Sequence, residues 1–260
     1  MRKGPLDLGT ARVLVTNDDG VHAPGLKVLA RIAKTLSRDV WVVAPETEQS
    51  ATSHSLTLRR PLHPRRHGER RFSVDGTPTD CVLVAHHHIM AGRPPDIVLS
   101  GINHGGNLGE DVTYSGTVAA AMEAAILGLP AIALSQMRQG DEPVAWTTAE
   151  RFAPDLLRNL ASIPWSRDLL INVNFPPVPP ERVTGVRPCR QGRRVKGTRV
   201  SEGTDPGGRR YIWIGSFLSD LSTERDTDLA VVDDGAIAVT PLHLDLTHKS
   251  SLKALSGVFT

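Results

Sequence analysis

The segment Val13–Gly20, with the sequence VLVTNDDG, decides the fold of this 260-residue chain. Its apolar, β-favouring residues end in two adjacent carboxylates and a glycine, a pattern that predicts a buried strand running into a tight turn. Side chains alternate between the two faces of a strand, so Asp18 and Asp19 can share a ligand only where the strand stops and Gly20 permits a turn. Two interpretations stay open from this segment alone: a solvated turn, and a carboxylate pair whose repulsion a bound cation relieves.

Strand and helix patterns alternate from this segment to Phe175. Apolar residues at helical spacing, with their start and stop signals, predict helices at residues 26–36, 77–90, 117–127 and 147–161. Short apolar runs predict further strands at residues 40–44, 97–99, 131–134 and 169–173. Residues 56–60 and 71–75 alternate apolar with polar side chains and predict an antiparallel hairpin or an excursion at the edge of the sheet. The whole alternation predicts an α/β fold with a mostly parallel sheet covered on both faces.

The helix predicted at residues 77–90 carries a clear start signal. Thr77 suits the N-cap position, Pro78 suits the first helical position, and Asp80 stands where a capping box places an acidic partner. The three histidines at 86–88 follow on the same helix, where neighbouring side chains diverge and cannot converge on one metal ion. We therefore interpret the triplet as a solvated surface.

The chain changes character after Phe175. A proline-rich link and a polar, Arg- and Gly-rich stretch contain few core residues and predict an arm, followed by short strands at 211–214 and 237–240 and a closing helix at 245–255. The second DDG sequence, at residues 233–235, is interpreted as a turn or helix stop. We divide the chain into a core at residues 1–182 and an extension at residues 183–260 that completes the same domain.

Composition excludes several classes of protein. The formal charge of +2 is too small to indicate nucleic-acid binding, although basic residues cluster at 59–71 and 187–210. Cys81 and Cys189 lack the spacing of a zinc site or a disulfide framework, which favours a reducing cytoplasm. No apolar run approaches the length of a signal peptide core or a membrane span, so we expect a cytoplasmic protein without membrane attachment.

Three predicted strand ends carry oxygen-bearing side chains. Asp18 and Asp19 follow the first strand, Ser50 follows the strand at 40–44, and Asn103 follows the strand at 97–99. In parallel sheets, ligands bind beyond the carboxyl ends of the strands, so these side chains are expected to meet. Carboxylate, hydroxyl and amide oxygens suit a hard divalent ion, Mg²⁺ or Mn²⁺, better than zinc or copper.

The start of the helix at residue 117 suits an anion. Ser115, Gly116 and Thr117 would present free backbone amides, two hydroxyls and the positive end of the helix dipole to a phosphate group. Simple N-capping is the alternative interpretation of the two hydroxyls. The long preceding loop, with Asn103 and Asn107, favours the phosphate site, because a helix that needs only a cap does not need such a loop.

Common nucleotide and hydrolase motifs are missing from the sequence. It contains no GxxxxGK[ST], GxGxxG or GxSxG, and the adjacent acids of the first turn do not have the alternating spacing of haloacid-dehalogenase phosphatases. His22 and His54 lie in or beside candidate site loops, and a loop histidine can donate to phosphate or act as an acid. We prefer His54, four residues after Ser50, as the catalytic candidate.

Several long motifs occur in a fixed order: VTNDDGVHAPGL, APETEQSATSHSLTL, GTPTDCV, DIVLSGINHGGNLGEDVTYSGTVAAAMEA and VTPLHLDLT. This combination resembles the SurE (survival protein E) family of metal-dependent nucleotidases over nearly the whole chain. The resemblance implies a Rossmann-like fold, one divalent ion per subunit, and a β-rich C-terminal extension that joins subunits into a homodimer or homotetramer. It implies metal binding by Asp18, Asp19, Ser50 and Asn103, and a phosphate pocket lined by Asn107, Ser115, Gly116 and Thr117. His54 falls where members of the family carry Asn or His.

The function expected from this resemblance is that of a 5′-nucleotidase, a phosphoric monoester hydrolase. Nucleoside 5′-monophosphates are the expected substrates, with 3′-monophosphates and short polyphosphate as further ones, and Asp18 and His54 are the catalytic candidates. A non-catalytic nucleotide- or RNA-binding regulator that uses the basic cluster at 59–71 is the alternative, although too few aromatic residues accompany the arginines for base stacking. A glycosyl- or methyltransferase rests on fold analogy alone. No stable nucleic-acid complex is expected.

Overall fold

The computed structural model describes residues 4–140, 142–193, 198–217 and 224–259. Nine of its strands form one sheet with the spatial order β3-β4-β2-β1-β5-β6-β7-β11-β8. These strands are β1 (Arg12–Thr16), β2 (Asp39–Pro45), β3 (Pro64–Gly68), β4 (Arg71–Val74), β5 (Ile97–His104), β6 (Ala131–Gln136), β7 (Leu169–Phe175), β8 (Val186–Pro188) and β11 (Ile237–His243). The other two described strands, β9 (Thr198–Thr204) and β10 (Arg210–Phe217), pair antiparallel in a separate sheet.

The predicted parallel sheet is confirmed, and β1 lies at its centre. Strand β1 pairs in parallel with β2 on one side and with β5 on the other, and β6 and β7 continue outward from β5 in parallel. The chain therefore builds one half of the sheet from β1 through β2 and then crosses β1 to build the other half. This reversal creates a crevice at the carboxyl ends of β1 and β5, the position where open α/β sheets bind ligands.

Helices cover both faces of the sheet, as predicted. The helices of the described residues are α1 (Pro24–Leu36), α2 (Pro78–Val84), α3 (Gly116–Ile126), α4 (Thr147–Ala161), α5 (Asp228–Asp233) and α6 (Lys249–Ser256), of which α6 is exposed and does not cover the sheet. Val13 and Val15 of β1 belong to the core packed under α1 and α4, while Leu14 belongs to the core packed under α2 and α3. Alternate side chains of this strand thus pack into two separate hydrophobic cores, one on each face of the sheet, which produces the three-layer α/β/α arrangement.

Two sequence predictions of strand position were wrong in part. Residues 56–60 do not form a strand, and the hairpin partner of β4 is β3 at Pro64–Gly68. Only two residues separate Gly68 from Arg71, so this local pairing costs less loop entropy than pairing across the longer connection. The strand predicted at 97–99 continues as β5 to His104, so Asn103 lies on a strand and not in a loop.

The capping box at the start of α2 is confirmed. The Thr77 hydroxyl accepts from the Asp80 backbone amide at 3.1 Å, and the Asp80 carboxylate accepts from the Thr77 amide at 2.9 Å. Asp80 also accepts from the Thr57 amide at 3.0 Å, which ties the preceding loop to the helix. The helical path extends past α2 as a short π-helical segment at Ala85–Ile89, close to the predicted end.

The C-terminal segment contributes strands to the main sheet and also forms a separate hairpin. Strand β11 pairs antiparallel with β7 and parallel with β8, whereas β9 and β10 form the separate hairpin. The DDG sequence at residues 233–235 ends α5, and Gly235 has a φ of 74°, which confirms the predicted helix stop. Residues 194–197 and 218–223 of the predicted arm lie outside the described residues.

Both cysteines are buried free thiols, in agreement with their sequence spacing. Among the described residues, no helix combines the length and the apolar character that a membrane span requires.

The capping box gives a prediction about stability. Replacing Asp80 with alanine leaves the partly buried backbone amides of Thr57 and Thr77 without their acceptor, and we expect the free energy of unfolding to fall by about 2 kcal/mol. Urea denaturation measures the change. Asp155→Ala, which removes an exposed carboxylate from α4, is the matched control and should stay within about 0.5 kcal/mol of the wild type. Equal losses in the two variants would contradict this account of the helix start.

Candidate active site

A cavity of about 450 Å³ opens at the carboxyl ends of β1 and β5. Its lining includes predicted site residues from every one of the candidate loops: Asp18, Ser50, Asn103, Asn107 and Ser115. Asp19 instead lines an adjoining cavity, and His104 lines both. The structure therefore brings together residues that the sequence separates by almost 100 positions, because neighbouring parallel strands end at the same edge of the sheet.

Asp18 is buried at the start of α3. The Thr117 hydroxyl donates a hydrogen bond to its carboxylate. A Cβ atom at position 116 would lie 2.7 Å from the Asp18 Cβ, so glycine at this position permits the close approach of strand end and helix. Burial raises the pKa of Asp18 to about 6, with a further increase from the charge of Asp19, against the opposing effect of the Thr117 hydrogen bond.

Asp19 leaves the turn in another direction and meets His104. The Asp19 Oδ1 lies 2.6 Å from the His104 Nδ1, and this hydrogen bond raises the pKa of His104 above its ordinary value. Sequence analysis did not select His104. Its position directly after Asn103 at a strand end was the available signal.

Ser50 and Asn103 complete the predicted oxygen donors. The Ser50 hydroxyl donates to Glu48 Oε1 at 2.6 Å, and the Asn103 amide nitrogen donates to the Gly105 carbonyl at 3.0 Å. Because the side-chain nitrogen of Asn103 donates to Gly105, the side-chain oxygen of Asn103 is the atom suited to a cation. In the part of the chain that the structure describes, no group of three or more His, Cys, Asp or Glu side chains forms a metal cluster, and the predicted set contains only two carboxylates.

The residues before α3 act as a helix cap and also face the cavity. The Ser115 hydroxyl accepts from the Val118 amide at 3.0 Å, so the capping interpretation of this serine is correct. That bond uses a lone pair of the hydroxyl oxygen and leaves its hydrogen as a donor. Gly116 and Thr117 begin the helix directly behind Asp18, where the helix dipole favours an anion and the Thr117 amide donates to the Asp18 carboxylate.

Asn107 is held by a buried network of amides. Its backbone amide donates to Asn174 Oδ1 at 2.8 Å, and its carbonyl accepts from Asn172 and Asn174 of β7. Its side-chain nitrogen donates to the Ser135 hydroxyl at 2.8 Å. These supporting residues were not among the predicted site residues, although Asn172 in the strand predicted at 169–173 and Asn174 just beyond it were a detectable signal.

His54 lies away from the lining of the cavity. Its Nε2 lies 2.9 Å from the Oε2 of Glu123, a buried residue in the second half of α3. The neighbouring Ser53 is bound through its amide to the Tyr114 carbonyl and through its hydroxyl to the Thr113 carbonyl. These contacts fasten the loop that contains Ser50 to α3 and to the segment before it. The catalytic role of His54 stays a prediction.

Fold and site together define a Rossmann-like α/β protein whose switch-point cleft places two carboxylates and neutral oxygen donors beside the start of a helix. The chain belongs to the SurE family, because the family model described as "Survival protein SurE" matches residues 13–198.

Relatives and a solved structure agree with this assignment. The chain is 57% identical over 253 residues to a protein of Paramagnetospirillum magneticum, with 97% of each chain covered. It is 54% identical over 258 residues to a protein of Rhodospirillum rubrum, with 97% of this chain and 98% of the relative covered. Both relatives are named 5′-nucleotidase SurE. The crystal structure of the SurE protein from Aquifex aeolicus matches with a TM-score of 0.84 and 39% identity, covering 96% of this chain and all of that one.

The buried carboxylate of Asp18 predicts how stability depends on pH in the metal-free protein. Because folding raises the pKa of Asp18, its protonated form favours the folded state at acid pH. This contribution disappears as the pH rises through the folded pKa of about 6. The wild type in EDTA should lose about 2 to 3 kcal/mol of its free energy of unfolding between pH 4 and pH 7 because of Asp18, and we expect Asp18→Asn to remove this loss.

Chemical denaturation at a series of pH values measures this effect as the difference between variant and wild type. Asp168→Asn, at an exposed carboxylate, is the matched control and should follow the wild-type profile. If the free energy of unfolding of Asp18→Asn also changes with pH as in the wild type, ionisation of Asp18 does not destabilise the folded protein.

Proposed function

We propose that this protein hydrolyses nucleoside 5′-monophosphates to nucleosides and phosphate, with 3′-monophosphates and short polyphosphate as further substrates. The names of the two curated relatives support a 5′-nucleotidase. The observation that carries the proposal is the Asp18 carboxylate held against the first turn of α3 in the switch-point cavity. A phosphate placed there meets an anion-binding helix start and an acidic side chain at the same time.

One divalent cation per subunit, Mg²⁺ or Mn²⁺, fits the donor set of this cavity. Asp18, Asp19, Ser50 and Asn103 are the proposed ligands, and all of them offer oxygen. The raised pKa of Asp18 supports a cation here, because a nearby positive charge would offset the burial of the carboxylate and the repulsion from Asp19. When bound, the ion would neutralise charge on the phosphate and acidify water beside it.

The start of α3 is proposed to hold the phosphate oxygens. Ser115 offers a hydroxyl hydrogen and Gly116 offers a backbone amide in a fixed arrangement, whereas the Thr117 amide donates to Asp18. Asn107 has a second amide hydrogen beyond the one donated to Ser135, and its backbone is fixed by β7. Donors that are already oriented stabilise the charge that develops on the phosphate oxygens during transfer.

Asp18 is the proposed catalytic carboxylate, and two routes use it differently. In one route, Asp18 helps to orient a water molecule that attacks phosphorus directly, the bond from phosphorus to the nucleoside oxygen breaks, and the nucleoside leaves after that oxygen takes up a proton. In the other route, Asp18 attacks phosphorus itself and displaces the nucleoside oxygen in the same way, and water then hydrolyses the acyl phosphate to release phosphate and restore the carboxylate. Inversion at phosphorus in a single displacement identifies the first route, whereas a trapped phosphoaspartate identifies the second.

The basic cluster at residues 59–71 gives little support to the alternative of an RNA-binding regulator. Arg65 pairs with Glu46, Arg70 pairs with Asp39 at 2.9 Å, and Arg60 pairs with Asp75 at 3.3 Å. Acidic partners compensate these arginines locally, which weakens the electrostatic attraction that a nucleic acid would need.

The extension at residues 183–260 is proposed to join subunits into a homodimer or homotetramer. Ile212, Trp213 and Ile214 of β10 are each about two thirds or more exposed, and Phe259 beyond α6 is 83% exposed. Neighbouring residues of a strand face opposite sides, so both faces of the hairpin present apolar surface. Such surface is typical of a protein interface. A cytoplasmic location remains our proposal from cysteine usage.

The proposed metal site predicts the response to chelation and to loss of a ligand. Phosphate release from AMP should depend on added Mg²⁺ or Mn²⁺, stop in EDTA and return when the metal is restored. Asp19→Ala should lower kcat/KM at least about 100-fold, because it removes one of the two carboxylates from the cation. A colorimetric phosphate assay measures both effects. Undiminished activity in EDTA or in the variant would refute the proposed site.

His54 gives a prediction that separates positioning from acid catalysis. Because His54 forms a hydrogen bond with Glu123, we expect His54→Asn to keep the loop that contains Ser50 in place and to retain kcat within about tenfold. His54→Leu loses this hydrogen bond and with it the attachment of the loop to α3. Rates of phosphate release from AMP over a pH series measure the effect. A loss of about 100-fold in both variants, together with a lost alkaline limb in the pH profile, would instead establish His54 as the acid, because a general acid stops working once it is deprotonated.

A further inference from the structure

A second cavity, of about 400 Å³, adjoins the active site. His104 forms part of the lining of both cavities, and Asp19 lines the second one. The lining is otherwise largely apolar and includes Pro24, Val144 and Trp146. Its volume lies within the range of small-molecule sites, which are mostly apolar with a few polar groups.

Trp146 is fixed in place on one side of this cavity. It directly precedes α4 and packs against the hydrophobic core while remaining partly exposed. A Cβ atom at position 25 would lie 2.9 Å from the Cη2 atom of the indole and 1.9 Å from the Ile102 carbonyl oxygen. Glycine at this position therefore lets the indole approach the start of α1 closely. An aromatic ring that is held before the ligand arrives binds a flat partner with little loss of conformational entropy.

Three polar side chains separate this cavity from the phosphate site. Asp19 and His104 are joined by their 2.6 Å hydrogen bond, and Glu48 accepts from Ser50 at 2.6 Å. Ser50 lines the first cavity and Glu48 lines the second. A substrate whose phosphate lies at the start of α3 therefore has the second cavity directly beside it.

The charge of the second cavity selects what can occupy it. Asp19 and Glu48 are acids, and His104 is the single basic side chain among the described residues that line it. An uncharged nucleoside placed in this cavity would meet the apolar residues without charge repulsion from the carboxylates. Nucleobases have flat faces that stack on aromatic side chains regardless of base identity.

From this arrangement we infer that the cavity beside Trp146 binds the nucleoside part of the substrate, with the base stacked on the indole. The inference rests on the proposed nucleotidase function and adds a residue that determines preference for nucleotides over other phosphate esters. Because stacking does not read hydrogen-bonding edges, the site accepts purines and pyrimidines alike.

The test compares AMP with ribose 5-phosphate, which has the same phosphate and sugar and no base. We expect Trp146→Ala to lower the ratio of kcat/KM for AMP to that for ribose 5-phosphate about tenfold or more, through a higher KM for AMP. Trp146→Phe retains an aromatic face and should recover most of the ratio. A ratio is independent of the fraction of folded enzyme, so partial misfolding of a variant does not affect it.

Two further measurements make the outcome decisive. Equilibrium dialysis of adenosine needs no hydrolysis, and we expect binding to weaken about tenfold in Trp146→Ala. If the wild type releases no phosphate from AMP, the proposed function fails, while the adenosine measurement still decides the inference. Unchanged adenosine binding in Trp146→Ala overturns it. Loss of the AMP preference in Tyr114→Ala, at the exposed tyrosine of the first cavity, with none in Trp146→Ala, also overturns it.

Discussion

The burial of the Asp18 carboxylate against the first turn of α3 is the contact on which the rest of the site depends. A helix start attracts an anion, but removal of the carboxylate from water costs more than this attraction returns, and the pKa of Asp18 rises to about 6. The fold holds the unfavourable charge in place through Thr117 and through the close approach that Gly116 allows. The result is a site in which burial opposes the negative charge of Asp18.

Support for this contact comes from parts of the chain far from it in sequence. Asn172 and Asn174 on β7 fix the backbone at Asn107, and Ser135 on β6 fixes its side chain. These groups are buried, so each amide must find a partner, and the partners leave the loop few alternative positions. Strands on the far side of β5 thereby set the position of Asn107 in the lining of the active-site cavity.

Most of the fold was predictable because its signals are local. The apolar run before Asp18 and the capping residues of α2 each specify an element without reference to the rest of the chain. Strand β3 escaped prediction because Pro64–Gly68 has no apolar alternation and forms only as the partner of β4. The residues of the site also fall into a group that local sequence signals identify and a group that they do not. Polar residues at strand ends were found from position alone, whereas the roles of His104 and Trp146 depend on which strands and helices become neighbours.

The two outer strands of the main sheet have a consequence for the behaviour of the chain during synthesis. Strand β3 is exposed throughout and carries two arginines, and β8 is three residues long and ends in Pro188. Short, charged and proline-containing edges resist pairing with the backbone of another chain. The edges of the main sheet are therefore protected from growing into intermolecular sheets in newly made molecules.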